Sequence, residues 1–230
     1  SQSTRDDLIG MLGAPPEKIT VVYEAADPVY RPIPREEALA SYKDKHLLPE
    51  EFILFVSTIE PRKNITALLR AYALLRERYR VTTGLVLAGG VGWQSEQIFE
   101  EVEQLDLTDH VTFLGRVNNG DLLYLYNLAR CLAHPALYEG FGLTPLEAMA
   151  SGTPVVVSNV SSLPEVVGDA GLLVDPNDVE DLAVALQRVL TDDALHATLR
   201  EKGLARASVF SWQRAAQETM AIYQRALSTN

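Results

Sequence analysis

Short apolar runs alternate with amphipathic helical patterns along most of the 230-residue chain, and this alternation constrains the fold most strongly. Most of the runs are continuous rather than alternating, as is typical of strands that are covered on both faces. The pattern predicts an α/β protein with a parallel sheet. The predicted strands are residues 19–23, 52–57, 84–88, 110–114, 131–134, 154–158 and 171–174. The predicted helices are residues 65–78, 95–105, 121–129, 145–150, 179–190, 194–207 and 212–227.

The net charge and the cysteine content limit the kinds of partner and of cellular compartment that we expect for this chain. The net charge is −11 and the isoelectric point lies near 4.8, so the chain has no general attraction for phosphate polymers and nucleic acid is not an expected partner. The single cysteine, Cys131, lies in an apolar run and is predicted to be a buried thiol, which fits a reducing cytoplasm. No run approaches the roughly 18 apolar residues of a membrane span. We therefore expect a cytoplasmic protein whose membrane contact is at most peripheral, at the inner face.

Two glutamates, Glu139 and Glu147, flank a Gly-Phe-Gly turn and the start of a predicted helix. The turn lets backbone N–H groups approach a ligand closely, and the helix N-terminus favours a negatively charged group such as phosphate. Each glutamate can accept hydrogen bonds from hydroxyls on either side of that anion, which is the layout of a sugar nucleotide. For Glu139 we expect an exposed side chain that contacts the ligand.

Glu147 has a second interpretation that the sequence leaves open. The segment Thr144-Pro145-Leu146-Glu147 fits a capping box, with Thr144 as the N-cap and Glu147 reaching back from the third helical position. The two roles are compatible, because a carboxylate has two oxygens.

A pair of cations, Arg62 and Lys63, follows the strand predicted at residues 52–57 and precedes Asn64, a predicted N-cap. In an open parallel sheet, ligands bind at the carboxyl ends of the strands. Arg grips phosphate oxygens in a bidentate fork and Lys supplies a compact charge, so the pair suits a diphosphate. The alternative is a solvated loop with a turn-forming proline. His134 is interpreted as a core or loop histidine, and no spacing of Cys, His or Asp predicts a metal site.

On these residues the chain resembles the C-terminal half of a GT-B fold glycosyltransferase of family GT4, the retaining group 1 transferases. The resemblance implies a Rossmann-like doubly wound parallel sheet and covers residues 52–185. It implies a nucleotide-sugar-binding domain at residues 36–210, preceded at 1–35 by a linker and the tail of an N-terminal acceptor domain outside the chain. Residues 211–230 would form a helix that packs on this domain or crosses to the other. The motifs that carry the resemblance are residues 57–64, 87–90, 111–117, 137–143 and 147–155.

The resemblance also implies roles for individual residues. Arg62, Lys63 and Glu139 are expected to be catalytic, with Lys63 on the diphosphate and Glu139 on hydroxyls of the donor sugar. Glu147 would hold the ribose. The expected donor-binding residues are Gly90, Arg116, Val117, Gly140, Phe141, Gly142, Leu143, Thr144 and Glu147. Many relatives carry Gly and Arg where this chain has Ser57 and Thr58, and we expect Arg62 to supply the second charge instead.

The implied reaction is a metal-independent transfer of a hexosyl group, of mannose or glucose type, with retention of configuration. The donor is a nucleotide-diphospho-sugar, and no separate cofactor is expected. Residues 58–64 are similar to those of bacterial mannosyl transferases of surface-polysaccharide assembly, which favours GDP-mannose over UDP-glucose. The acceptor would be a saccharide or a lipid-linked saccharide bound by the other domain, so the chain alone is expected to bind donor without turning it over. The alternatives are a nucleotide-sugar epimerase of GT-B fold and a non-catalytic nucleotide-binding domain.

Overall fold

One parallel sheet organises the computed structural model, which describes residues 1–93 and 95–228. Its strands are β1 (Phe52–Val56), β2 (Gly84–Ala88), β3 (Val111–Gly115), β4 (Cys131–His134), β5 (Val155–Ser158) and β6 (Leu172–Val174). Their order across the sheet is β3-β2-β1-β4-β5-β6, and every neighbouring pair is parallel. The chain therefore winds outward in both directions from β1, which is the doubly wound Rossmann order.

Helices cover both faces of this sheet. In chain order, the α-helices of the described residues are α1 (Gln2–Leu12), α2 (Arg35–Ser41), α3 (Ile65–Glu77), α4 (Glu96–Gln104), α5 (Asn119–Leu128), α6 (Leu143–Ala150), α7 (Leu163–Val167), α8 (Val179–Thr191), α9 (Asp193–Ala207) and α10 (Trp212–Ser228). None of the helices in the described ranges is long and apolar enough to cross a membrane.

The core consists of two apolar layers, one on each face of the sheet. Within β1, Phe55 joins the layer under α3, α4 and α8, whereas its neighbour Leu54 joins the layer under α2, α5, α6 and α7. All five residues of β1 are buried. This explains why the strands read as continuous apolar runs, since both faces of each strand are covered by helices.

Six of the seven predicted strands and all seven predicted helices are confirmed, with bounds that shift by two residues or fewer. Cys131 is buried, as predicted. The strand predicted at residues 19–23 is wrong: this segment is extended but pairs with no strand among the described residues. Its β-branched residues favour an extended backbone, but the segment lies beside α10, and Tyr23 packs on Phe141 and Phe210.

Candidate functional site

The site lies where the strand order reverses, between β1 and β4. Two loops that leave the carboxyl ends of these strands lie side by side. The backbone N–H of Leu137 donates to the carbonyl of Arg62 over 2.9 Å, and Arg62 Nη1 donates to the carbonyl of Tyr138 over 2.8 Å. The parallel topology thus brings together two motifs that are about 75 residues apart in sequence, at the position where such sheets bind ligands.

Five charged or titratable side chains meet at this edge of the sheet. Oε1 of Glu139 accepts hydrogen bonds from Lys63 Nζ and from His134 Nε2, the latter over 2.9 Å. Its other oxygen, Oε2, lies 3.5 Å from Arg62 Nη1, and Arg62 Nη2 donates to Glu60 over 2.7 Å. The three predicted catalytic residues are therefore in direct contact, and both cations face a carboxylate.

The expectation that Glu139 is exposed is wrong. Its side chain is only 13% exposed and that of Lys63 only 10%. The loop after β4 folds back over the end of its own strand, so the carboxylate faces the last residue of β4 rather than open solvent. A carboxylate in such a place requires partners, and Lys63 and His134 provide them.

The partners of Glu139 fix its charge. Burial by itself raises the pKa of this carboxyl, but the hydrogen bonds from His134 and Lys63, together with the charge of Lys63, outweigh burial and hold its pKa below the usual range. Burial lowers the pKa of His134, and the nearby charges of Lys63 and Arg62 act in the same direction, although Glu139 opposes them. Glu139 is therefore ionised and His134 neutral at pH 7.

The backbone of Glu139 is held by two serines that the sequence analysis did not single out. The N–H of Glu139 donates to Ser161 Oγ, and Ser162 Oγ donates to the carbonyl of Glu139, each over 2.9 Å. Both serines follow β5 at the same edge of the sheet. The rule that ligand-binding residues gather at the carboxyl ends of parallel strands would have pointed to them, as it would to His134 at the end of β4.

The glycine turn after Glu139 leads directly into α6. Gly142 has φ 106° and is the N-cap of this helix, which begins at Leu143. The first amides of a helix have no intrahelical partner, so those of Leu143 and Thr144 are available to an anion. The predicted capping box is wrong, because the positive φ open to glycine starts the helix earlier and places Thr144 inside its first turn.

Glu147 has a different partner from the one that a capping box would give it. Its Oε2 accepts a hydrogen bond from the hydroxyl of Tyr126 over 2.9 Å. Burial raises its pKa to about 7, with the Tyr126 bond opposing and the charge of Asp27 assisting the rise. In the part of the chain that the structure describes, Glu147 forms no hydrogen bond or ion pair with Lys63 or Glu139. The two glutamates therefore occupy separate environments. At pH 7 Glu139 is ionised, whereas Glu147 is near its titration midpoint.

The side chain of Phe141 serves packing. It is 8% exposed, and its ring lies 5.9 Å from the rings of both Tyr23 and Phe210. The preceding residue, Gly140, accepts hydrogen bonds at its carbonyl from Ser1 Oγ and Thr4 Oγ1. The turn is thus anchored on both sides, and its backbone amides rather than the Phe141 ring are the groups that a ligand can use.

The remaining predicted donor-binding residues line a separate cavity. Gly90, Arg116 and Val117 surround a volume of about 410 Å³ together with Ser57 and Thr58. A Cβ on neighbouring Gly89 would lie 1.7 Å from the carbonyl oxygen of Ser57, so the backbones after β1 and β2 meet there at a distance that only glycine allows. The loop at residues 57–64 therefore borders this cavity at one end and the Glu139 cluster at the other.

Asn64 is the N-cap of α3 by position, as predicted, but its side chain makes no capping bond. It donates instead to the carbonyl of Pro176 over 2.7 Å. No group of three or more His, Cys, Asp or Glu residues that could hold a metal ion occurs in residues 1–93 and 95–228.

Comparisons with known proteins identify the family to which this chain is similar. The family model described as glycosyl transferases group 1 matches residues 40–206. O-antigen chain mannosyltransferase B of Escherichia coli is 40% identical over 224 residues, which are 97% of this chain and 59% of that protein. MMP alpha-(1->4)-mannosyltransferase of Mycolicibacterium hassiacum is 38% identical over 180 residues, 76% of this chain and 43% of that protein.

Solved structures agree on the fold. Sucrose-phosphate synthase from Thermosynechococcus elongatus superposes with a TM-score of 0.86 and 30% identity, over 100% of this chain and 58% of the other. Anabaena HepE in complex with UDP-glucose superposes with a TM-score of 0.83 at 23% identity, over 99% of this chain and 62% of the other, which shows a shared fold alone. The chain spans about 59% of the length of the O-antigen mannosyltransferase that it matches. The resemblance read from the motifs is confirmed, and the chain belongs to the group 1 glycosyl transferases, as the C-terminal domain of their GT-B fold.

Proposed function

We propose that this chain is the donor-binding part of a hexosyltransferase that uses a nucleotide-diphospho-sugar. One observation carries the proposal: Arg62 and Lys63 meet Glu139 at the switch point of the sheet, next to a cavity of about 410 Å³. Cations, a sugar-binding carboxylate and a cleft of nucleotide size are the three things that such a donor requires. GDP-mannose is favoured over UDP-glucose, and the names of the relatives as mannosyltransferases support mannose.

The donor is proposed to lie across both parts of the site. Its base enters the cavity at Gly90, Arg116 and Val117, where backbone groups are accessible. Its diphosphate lies between Lys63 and the N-terminus of α6. The sugar hydroxyls reach Glu139, and the ribose hydroxyls reach Glu147.

The chemistry follows from where charge develops. As the glycosidic bond opens, negative charge builds on the leaving diphosphate, and fixed donors aimed at it lower the barrier. Lys63 and the unpaired amides at the start of α6 are such donors. Arg62 is a further cation, and its side chain can change partner. Because it is 43% exposed, it exchanges Glu60 for a phosphate at little desolvation cost. The transfer is proposed to retain the anomeric configuration and to need no metal, with the leaving phosphate accepting the proton of the acceptor.

The rest of the enzyme is proposed to supply the acceptor site. Residues 1–35 are assigned to a linker and the end of that acceptor domain, and residues 36–210 to donor binding. Residues 211–230, of which 229 and 230 lie outside the described residues, are assigned to a C-terminal segment whose helix α10 packs on this domain or crosses to the other. Ala215 is the only buried residue of α10 within Trp212–Ser228, whereas Trp212, Met220 and Tyr223 are exposed, which suits a helix with a second neighbour. The acceptor is proposed to be a saccharide or lipid-linked saccharide presented at the cytoplasmic face of a membrane.

A thermal shift assay with GDP-mannose, UDP-glucose and NAD tests donor binding. A donor at about 100 times its dissociation constant stabilises the fold by roughly 2.7 kcal/mol, or a rise of about 5–10 °C in Tm for a domain of this size. We expect no shift with NAD. Lys63→Ala should abolish the shift, while Lys45→Ala, an exposed lysine outside the site, should keep it. Unchanged donor affinity in Arg62→Ala would remove Arg62 from the proposal.

The same nucleotide sugars, used as substrates in activity assays, separate the alternative functions. Conversion of the nucleotide sugar in the absence of acceptor would indicate an epimerase. Binding of nucleotide with no sugar transfer, even in a longer chain that includes the acceptor domain, would indicate a non-catalytic domain. Transfer by these 230 residues alone would contradict the assignment of the acceptor site to another domain.

A further inference from the structure

His134 contacts the proposed sugar-binding carboxylate, yet the proposed function gives it no role. We propose that His134 is a positioning residue: a neutral imidazole whose Nε2–H holds Oε1 of Glu139, so that Oε2 is the oxygen presented to the hydroxyls of the donor sugar. This inference rests on the proposed function and deepens it.

The hydrogen-bond partners of the ring determine its tautomer. Nε2 lies 2.9 Å from Oε1 of the ionised Glu139, which can only accept, so the proton must be on Nε2. Nδ1 is buried and has no hydrogen-bond partner in the described part of the chain. A proton on Nδ1 would be a buried donor without an acceptor, which is more costly than an unused lone pair. The ring is therefore neutral, with its single proton aimed at Glu139.

The ring is held by a rigid part of the fold. His134 is the last residue of β4 and is 1% exposed. Its ring stacks on Phe55 of the neighbouring strand β1, with centroids 6.4 Å apart and planes inclined by 18°. Groups placed on strands hold a catalytic geometry more closely than groups on loops, so the imidazole is a fixed reference for the carboxylate on the loop.

The two oxygens of Glu139 are consequently unequal. Oε1 is occupied by two buried donors, Lys63 Nζ and His134 Nε2. Among residues 1–93 and 95–228, Oε2 has only the exposed Arg62 guanidinium beside it, at 3.5 Å. Oε2 is thus the oxygen that a sugar hydroxyl can reach. When Lys63 turns toward the diphosphate, His134 is the partner that keeps Glu139 in place, so its removal should weaken recognition of the sugar and leave recognition of the nucleotide intact.

Three substitutions separate this role from simple packing. His134→Phe keeps a ring over Phe55 but deletes the donor. His134→Gln places an amide N–H near the position of Nε2, and His134→Asn places one near Nδ1, the atom without a partner. We therefore expect the Gln variant to restore function and the Asn variant not to.

The measurement is the affinity of the 230-residue chain for GDP-mannose against GDP, and for UDP-glucose against UDP, by calorimetry. His134→Phe removes a hydrogen bond to a charged group. We therefore expect it to lower the affinity for the sugar nucleotide by about 10-fold or more and to change the affinity for the nucleoside diphosphate by less than about 2-fold. His134→Gln should remain within about 3-fold of the original chain. Equal weakening of both ligands, or rescue by Asn as good as by Gln, would overturn the role.

A second measurement needs no ligand. The imidazole ¹⁵N shifts of His134 at pH 7 should report the Nε2–H tautomer, and an Nδ1–H tautomer or an imidazolium would refute the proposal. If the chain bound neither GDP-mannose nor UDP-glucose, the proposed function would fall, while the tautomer would still be decided by the spectrum.

Discussion

The ammonium of Lys63 contacts the carboxylate of Glu139 across the gap between the loops that follow β1 and β4. Both side chains are largely buried, so each charge depends on the other. This ion pair joins the two halves of the sheet at its switch point. It also keeps a cation and a carboxylate, the proposed ligands of the diphosphate and the sugar, at contact distance before any donor arrives.

Replacing Lys63 with Met, which has a similar length and no charge, should destabilise the fold. Glu139 would keep His134 but lose its main neutralising partner, and breaking a buried pair from one side costs about 3–5 kcal/mol when burial is complete. Because this pair retains some exposure, we expect the free energy of unfolding to fall by about 2–4 kcal/mol in urea titrations. The double variant Lys63→Met with Glu139→Gln should recover most of the loss. A single variant as stable as the original chain would show that Lys63 contributes little to the fold.

Gly89 and Gly90 form a matched pair of test positions beside the cavity. A Cβ at Gly89 would collide with the Ser57 carbonyl, whereas one at Gly90 would meet no atom within 4 Å. Gly89→Ala should therefore lower the free energy of unfolding by about 3 kcal/mol or more, since the backbone rather than a flexible side chain must move. Gly90→Ala should leave the free energy of unfolding within about 0.5 kcal/mol. Urea denaturation of both variants is the measurement, and equal stability of the two would contradict the close approach.

The sheet could be predicted because buried parallel strands leave a continuous apolar run, and β1, β2 and β4 are such runs between turn residues. The same signal failed at residues 19–23, because β-branched residues favour an extended backbone but do not provide a neighbouring strand. Three helices, α1, α2 and α7, were not predicted. In α1 no residue is buried, so no apolar stripe marks it in the sequence.

Sequence could place Arg62, Lys63 and Glu139 at one edge of the sheet, because parallel topology alone dictates that. It could not show that Glu139 is buried against Lys63, since this depends on how the loop after β4 folds back. The contact of His134 with Glu139 could not be predicted, because a lone histidine forms no local sequence pattern. The capping box at Thr144 matched in sequence and failed in structure because Gly142 accepts a positive φ and starts the helix first.

Glu147→Gln should change how stability depends on pH. The pKa of Glu147 is raised from 4.5 in the unfolded chain to about 7 in the fold, so the folded state holds the proton more tightly. Its contribution to stability is fully present below pH 4.5 and is lost as pH rises through about 7. The amide of the variant does not ionise, and its oxygen still accepts from Tyr126. We expect the variant to gain about 1–3 kcal/mol relative to the original chain between pH 5 and pH 8 in urea titrations at each pH. Parallel pH profiles for the two proteins would contradict the raised pKa.

Phe210→Ala should weaken both the fold and the glycine turn. The ring of Phe210 packs on Tyr23 and Phe141, and the guanidinium of Arg206 lies 5.0 Å from its centroid. Because Phe210 is half-buried, we expect a loss of about 1–3 kcal/mol, below the range for a fully buried Phe. Phe141 would lose one of its two aromatic packing partners, so the amides of the turn would be less well positioned and donor affinity should fall by about 3-fold or more.

The matched control for this variant is Phe99→Ala. Phe99 lies in α4 and its ring is 4.9 Å from that of Phe113, so it also belongs to a partly exposed aromatic pair, but one without contact to the turn. A similar loss of stability with unchanged donor affinity is the expected result for this control. If both variants lowered donor affinity equally, the effect of Phe210 would be a general consequence of destabilisation. If Phe210→Ala alone lowered it, packing behind Phe141 would be established as what holds the turn in its ligand-binding conformation.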